Sequence, residues 1–293
     1  MRISQQMLHQ NSLRHMNQNL SRMEKTNLDL STGKKLHKPS DDPNGVSKAM
    51  NLKSALTANK QYERNADEAN LWLSEADQTI NGMVEVMQRV RELAVQGNNG
   101  ALSDQDRNMI ASETEALHEQ IHQFANAKVN GQYLFNGSNT KNPPFPTSGA
   151  YTESTFNTDQ RKFTIGEGAA VNINVTADKL IGNANENDNL FNVLNSVAAA
   201  LKAGETVSLD HIDQGMERLL TTAAEVGARQ NRVEAITNRV QDSNVALQTM
   251  LSQIEDVNYA ETITKLKSEE SIYQASLSAT AKIIQPTLMD FLR

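Results

Sequence analysis

The sequence predicts a mainly α-helical protein: a long antiparallel coiled-coil helical rod formed by the N- and C-terminal segments, with a small β-rich central insert. Two heptad series and one shift in composition predict it. Read in steps of three and four, the first series is Leu52, Ala55, Asn59, Tyr62, Ala66, Ala69, Leu73, Ala76, Ile80, Met83, Met87, Val90, Ala94, with 12 of its 13 positions apolar. The second is Ile212, Met216, Leu219, Ala223, Val226, Gln230, Val233, Thr237, Val240, Asn244, Leu247, Leu251, Ile254, with 10 of 13 apolar. At the chain's average hydrophobic content about 5 would be apolar by chance. Such spacing puts one narrow apolar seam on each helix, and a seam of that kind is buried only against another helix. Between the two series, residues 139–187 turn rich in Asn, Thr, Gly and Pro.

In chain order, residues 4–31 read as a helix on the spacing of Leu13, Met16, Leu20, Met23 and Leu30, with Asn27 as the polar interruption. Gly33 is placed to cap it in a left-handed conformation, with Lys34 and Lys35 beside the negative end of its dipole. Pro39 breaks the chain. Asp42-Pro43 then reads as an N-cap followed by proline at the first helical position. The helix that follows reaches about Gln96, some 80 Å at 1.5 Å per residue. The cluster Gly97-Asn98-Asn99-Gly100 ends it. Ser103 and Asp106 stand at capping-box spacing and open a third helix with the seam Ile110, Leu117, Ile121, Phe124. Asn130-Gly131 and Asn136-Gly137 are turns around a short strand at Tyr133-Leu134-Phe135. Phe163 and Ile165, then Val171, Ile173 and Val175, alternate with polar residues as half-buried strands do, and Gly166-Glu167-Gly168 turns between them. Leu190, Leu194, Val197 and Leu201 return to helical spacing, which Ala203-Gly204 interrupts. From about Ser208 a last helix runs towards Gln285. Its length of roughly 115 Å exceeds a compact domain, so a break is expected around Asp256–Ala260. Pro286 ends it, and the tail Thr287–Arg293 is unusually apolar for a chain end.

Composition narrows the function. Aromatic residues make up 4% of the chain, with one Trp, fewer large rings than a single globular core of this size usually holds. The alanines of the seams point to close helix packing instead. No Cys is present, so no disulfide ties the fold to a redox compartment and no thiol nucleophile exists. Net charge is −7, and Lys34, Lys35 and Lys38 are the one basic cluster, which argues against nucleic acid as a partner. No run approaches the ~18 apolar residues of a membrane span. The start, MRISQQMLHQN, lacks the apolar stretch of a Sec-type signal peptide, so the expectation is either a cytoplasmic protein or export by another route.

One catalytic pattern occurs. His118-Glu119-Gln120-Ile121-His122 matches H-E-x-x-H, where histidines at i and i+4 of a helix grip zinc and the Glu acts as base. Ile121 inside it belongs to a packed seam, no further histidine follows at the longer spacing, and the nearest downstream acids, Glu153 and Glu167, fall in the loop-rich insert. His118, Glu119 and His122 are therefore set aside as metal ligands. No other catalytic motif or phosphate loop is seen, so no catalytic residue, metal or cofactor is assigned. Tyr133 and Phe135 read as core at a helix-to-strand junction in preference to a binding patch.

The segment Leu30–Gly45, LSTGKKLHKPSDDPNG, resembles the N-terminal signature of the flagellin family of bacterial flagellar proteins. Residues 254–292, IEDVNYAETITKLKSEESIYQASLSATAKIIQPTLMDFL, resemble its C-terminal signature. The start MRISQQM, the KPSDDP form of the first motif and Asn130–Ser138, NGQYLFNGS, resemble the branch of that family that joins hook to filament. The resemblance covers roughly 1–138 and 205–293, and leaves 139–190 unmatched. It implies a non-enzymatic, extracellular role in a thin ring at the hook–filament junction. The implied partners are hook-associated protein 1 on one side, flagellin on the other, copies of the chain itself, and a dedicated chaperone for unfolded export through the flagellar type III channel. It also implies that the terminal helices become ordered on assembly.

Three parts are expected: residues 1–40 with 260–293 as a terminal helical pair, 41–138 with 190–259 as the rod, and 139–189 as an outward insert. Leu13, Leu20, Met23, Leu277, Ile284, Leu288 and Phe291 are expected to contact neighbouring subunits around the central channel. Methionines on these faces (Met7, Met16, Met23, Met83, Met87) either adapt to unlike neighbours or fill core gaps. The rival readings are the filament subunit flagellin, a zinc peptidase working through His118 and His122, and a generic coiled-coil scaffold.

Overall fold

The computed structural model describes residues 2–146, 157–183 and 189–284. Seven helices and two two-stranded antiparallel sheets are found among them: α1 Arg2–Thr32, α2 Pro43–Gly97, α3 Asp104–Ala125, β1 Lys128–Val129, β2 Gln132–Tyr133, β3 Lys162–Gly166, β4 Ala169–Asn172, α4 Ala177–Ile181, α5 Leu190–Ala203, α6 Leu209–Glu255 and α7 Tyr259–Ile284. The expected mainly helical fold with a small β insert is the one observed.

Local chemistry explains the boundaries. Gly33 has φ +70° and stops α1, the left-handed geometry that glycine adopts without a Cβ penalty. The Asp42 carboxylate accepts the Asn44 backbone N–H at 3.1 Å, and the Asp42 carbonyl accepts that of Val46 at 2.9 Å, ahead of Pro43. Ser103 and Asp106 form the reciprocal capping box of α3. Asn189 caps α5 by accepting the N–H groups of Phe191 and Asn192, and Gly204 closes that helix in the left-handed region. The expected break of the last helix falls after Glu255, and α7 resumes at Tyr259.

The chain forms two compact units. One contains the residues up to Thr57 and those from Asn244 onward; the other is Ala58–Ser243. In the central unit α2 and α6 run antiparallel. Asn59 donates to Ser243 at 3.1 Å and Arg91 to Asp213 at 2.7 Å, so as one number rises the other falls. Ile212, Leu219, Val226, Val233 and Val240, seven apart, are all buried along α6. They meet Ala66, Ala69, Leu73, Ala76, Ile80, Met83, Met87, Val90 and Ala94 of α2, also buried. Small residues let the third and fifth helices approach: a Cβ on Gly82 would lie 2.9 Å from the Phe124 ring, and one on Gly97 would strike Leu201.

The insert joins this core. Strands β3 and β4 pair antiparallel with an irregularity between Thr164 and Gly166. Ile165, Val171, Ile173 and Val175 are all buried. Asn65 of α2 donates to the Thr164 carbonyl at 2.7 Å, Arg229 of α6 donates to that of Asn174 at 2.9 Å, and the Arg161 guanidinium lies 4.7 Å from the Trp72 ring centre. Two details differ from expectation. Ile173 and Val175 lie beyond β4, and residues 177–181 form a short helix whose Ala177, Leu180 and Ile181 are buried. At Tyr133–Phe135, only Tyr133 belongs to a strand; Leu134 and Phe135 continue past it into the core. Asn130 and Gly131, both at positive φ, make the tight turn of the β1–β2 hairpin.

Candidate assembly interface

In the terminal unit α1 packs against α7. The inward positions of α1 are Ser12, Met16, Asn19, Met23, Thr26 and Leu30, and those of α7 are Thr262, Leu266, Glu269, Tyr273, Ser276 and Thr280; all are buried or half-buried. Both sets follow the three-four spacing of a coiled coil. Half the layers are polar. Asn19 donates to Ser276 at 3.0 Å, and the Thr26 and Thr280 hydroxyls turn back to the carbonyls of Arg22 and Ser276.

Large apolar side chains lie instead on the outside. Leu13, Leu28, Ile263, Ile272 and Leu277 are 42–47% exposed, and Met7 and Tyr259 more so. Among the described residues of this unit, Ala49 and Leu56 are the buried apolar side chains, whereas Asn19, Thr26, Glu255 and Thr280 are buried polar ones. Polar residues thus share the inward face with Met16, Met23, Leu30, Leu266 and Tyr273, while other large apolar side chains stay exposed, a departure from the usual pattern of apolar inside and polar outside. A groove beside the seam is lined by Asn19 and Arg22 of α1 and by Glu261, Thr264, Lys265 and Ile272 of α7.

The two helix breaks face one another. Lys35 donates its backbone N–H to the Glu255 carbonyl at 2.7 Å, and Val257 donates to Gly33 at 3.0 Å, forming an isolated antiparallel bridge between Lys34 and Asp256. The Glu255 carboxylate, with 6% of its side chain exposed, pairs with Lys34 at 2.9 Å and with Lys53. Burial pushes its pKa up, but hydrogen bonds from Lys53 and Lys34 outweigh that and hold it below the usual carboxylate range. Lys25 of α1 pairs with Asp41, in the segment between α1 and α2, at 2.9 Å. That contact, with the backbone N–H groups of Lys38 and His37, lowers the Asp41 pKa to about 2.

The structure sorts the sequence-predicted residues into three groups. Leu13 and Leu277 point outward and are available to a neighbour. Met23 shares the inward face with Asn19 and Thr26, so it serves the pair itself, and Leu20 is half-buried. Ile284 closes α7, and Leu288 and Phe291 lie outside the described residues. Ser12, Asn19 and Thr26 share the inward face with Met16, Met23 and Leu30, whereas Leu13 lies outside it. Sequence reasoning missed Leu28, Ile263 and Ile272. Their signal was present as apolar residues out of phase with small polar residues repeating every seven.

His118 and His122 lie against the Phe191 ring of α5, at 5.4 and 5.9 Å between centroids, and Phe145 meets the same ring at 5.2 Å. This is a packed α3–α5 contact. Among the described residues no group of three or more His, Cys, Asp or Glu is gathered to hold a metal, and no helix is long and apolar enough to cross a membrane.

The helices that carry the outward apolar faces are also where known proteins match. The bacterial flagellin N-terminal helical region matches residues 3–140, and the bacterial flagellin C-terminal helical region matches residues 209–292. The chain belongs to the flagellin family. It is 30% identical over 304 residues to flagellar hook-associated protein 3 of Escherichia coli (strain K12), covering 95% of this chain and 96% of that protein. The protein of the same name from Salmonella typhimurium is 27% identical over 300 residues, covering 94% and 95%. A solved structure from Vibrio parahaemolyticus, described as a flagellar hook-associated protein, superposes with a TM-score of 0.67 at 26% identity over 74% of this chain and all of that one. This flagellin-family chain is thus a structural flagellar protein, and the relatives named are hook-associated proteins.

Proposed function

We propose that this flagellin-family protein is the structural subunit that joins hook to filament in the bacterial flagellum. The observation that carries the reading is the set of large apolar side chains, Leu13, Leu28, Ile263, Ile272 and Leu277, that α1 and α7 leave exposed outside a partly polar seam. Each of Leu13, Leu28, Ile263, Ile272 and Leu277 would gain roughly 1 kcal/mol on completing its burial. Repeated around a ring, that gain drives assembly while leaving a lone chain marginal at its ends. Residues 1–40 with 260–293 form the assembly core, 41–138 with 190–259 the rod, and 139–189 lie away from the central channel. Leu288 and Phe291 belong to the same proposed contact.

The partners are further copies of the chain, hook-associated protein 1, flagellin, and an export chaperone. The role is mechanical, with no catalysis. Flagellin itself is the runner-up; the likeness to hook-associated protein 3 over nearly the full length of both chains favours the junction. Electron micrographs of cells lacking the protein test this reading. Bare hooks with flagellin shed to the medium are expected, and normal filaments would refute it. The purified chain should form short rings on hook ends and never long filaments, whereas flagellin elongates. Changing Leu288→Glu and Phe291→Glu together should leave a soluble, helical monomer that seats no filament.

A further inference from the structure

The terminal pair is tied down at one end by charge. Glu255 is the last residue of α6 and its carboxylate is buried, a position costly for an unpaired charge. It is met by cations from two other elements, Lys34 of the segment after α1 and Lys53 of α2. Lys35 reaches past it to the Gln253 carbonyl at 2.9 Å, and Asp256 is the acidic neighbour on its own strand of the bridge. The Glu255 carbonyl accepts the Lys35 backbone N–H. Glu255 therefore ties together the end of α1, the start of α2 and the end of α6, with Tyr259 of α7 resting against Gly33. The α1–α7 seam offers little apolar burial of its own, so its order depends on this tether. We infer that Glu255 is the pin of an ionic clasp that anchors the base of the α1–α7 pair and so controls whether its outer apolar face is presented to a neighbour. The inference rests on the reading of that face as the assembly surface.

A clasp at one end makes a graded prediction. In the full-length chain at neutral pH, hydrogen exchange within the terminal unit should be slowest at the Lys35 and Val257 amides. Protection should decline along α1 towards Gln10 and along α7 towards Thr280. Glu255→Gln keeps the shape and removes the charge, so it should speed exchange at Lys35, Val257 and the adjoining turns by about tenfold or more, the loss expected for charge-assisted hydrogen bonds. Lys53→Gln should give the same pattern more weakly. Amides of α3 and α5 should not change in either variant. Three outcomes overturn the clasp: Glu255→Gln exchanging like the parent, acceleration spreading equally into α3 and α5, or Lys35 and Val257 already exchanging at open-chain rates in the parent. These are separable from failure of the junction reading. Normal filaments seated by a chain carrying Leu13→Glu and Leu277→Glu would remove the assembly surface and leave the exchange gradient standing.

Discussion

His118 meets the edge of Phe191 with its Nε2 buried and without a hydrogen-bond partner among the described residues. Burial lowers its pKa first, His122 pushes the same way, and Glu119 and Glu115 oppose both. The fold thus prefers the neutral ring. Its contribution is fully present above about pH 6.5, the free-side-chain value, and is lost as the pH falls towards the lower folded value. The melting temperature of the central unit should therefore fall between pH 7.5 and pH 5.5, and His118→Leu should make that fall smaller. An equal fall in both proteins would show that the imidazole is not responsible. Glu255 works on a lower pH scale with the same sign: its pKa is depressed, so its stabilisation holds above the ordinary glutamate value and disappears on acidification through the folded one. Gly33 is a residue-scale position where a Cβ is strained. Its φ of +70° costs an L-residue about 1–2 kcal/mol, and a Cβ would sit 2.6 Å from the Tyr259 hydroxyl. Gly33→Ala should loosen α1 and α7, read by circular dichroism, while leaving the environment of Trp72 unchanged.

Helix by helix, the difference between a sealed and an open seam is the difference between layers of Leu, Ile and Val and layers of Asn, Ser and Thr. Asn19→Leu with Ser276→Leu converts one polar layer of the α1–α7 pair into an apolar one. It should make Arg14 and Arg22 more resistant to trypsin in the isolated chain, and unchanged cleavage would mean that the seam is not what limits the pair. In the central unit, Phe191 is the shared contact of α3, α5 and the segment at Phe145. Phe191→Ala should cost about 3–5 kcal/mol of that unit's stability in denaturant titrations. These contrasts explain what could be read from the chain. The α2 and α6 seams were legible because their apolar residues keep one phase for many turns, and the caps at Gly33, Asp42, Ser103 and Gly204 each carry their own local chemistry. The inward phase of α1 was only partly legible, because apolar spacing marks Met16, Met23 and Leu30 but passes over the polar residues between them. Leu13 and Leu20 keep the same three-four spacing, yet Ser12, Asn19 and Thr26 take the inward positions beside the methionines. Helix α4 was missed because five residues are too few to show a period, although Asp178, Lys179 and Gly182 stood at its ends. The bridge between Lys34 and Asp256 joins residues far apart in sequence, and no local pattern announces such a contact.

The buried apolar core of the described chain lies almost wholly in Ala58–Ser243, and the exposed large apolar residues are concentrated in the other unit. The two units should therefore melt differently, because apolar burial is the main favourable term in folding. Trp72 supplies a clean reporter. It is the one tryptophan of the chain, it is 2% exposed, and it belongs to the central unit. Helices α1 and α7 contain no tryptophan, so they contribute to circular dichroism but not to tryptophan fluorescence. On heating, ellipticity should begin to fall well before the fluorescence changes, with the early loss belonging to the terminal unit. Assembly should then raise the early transition and leave the late one in place, since neighbours seated on the proposed assembly face would cover Leu13, Ile272 and Leu277 but add nothing to the core around Trp72. Coincident transitions in the free chain would mean that the terminal pair shares the stability of the central unit. The outward apolar face would then lack the marginal, partner-dependent character that the junction role requires.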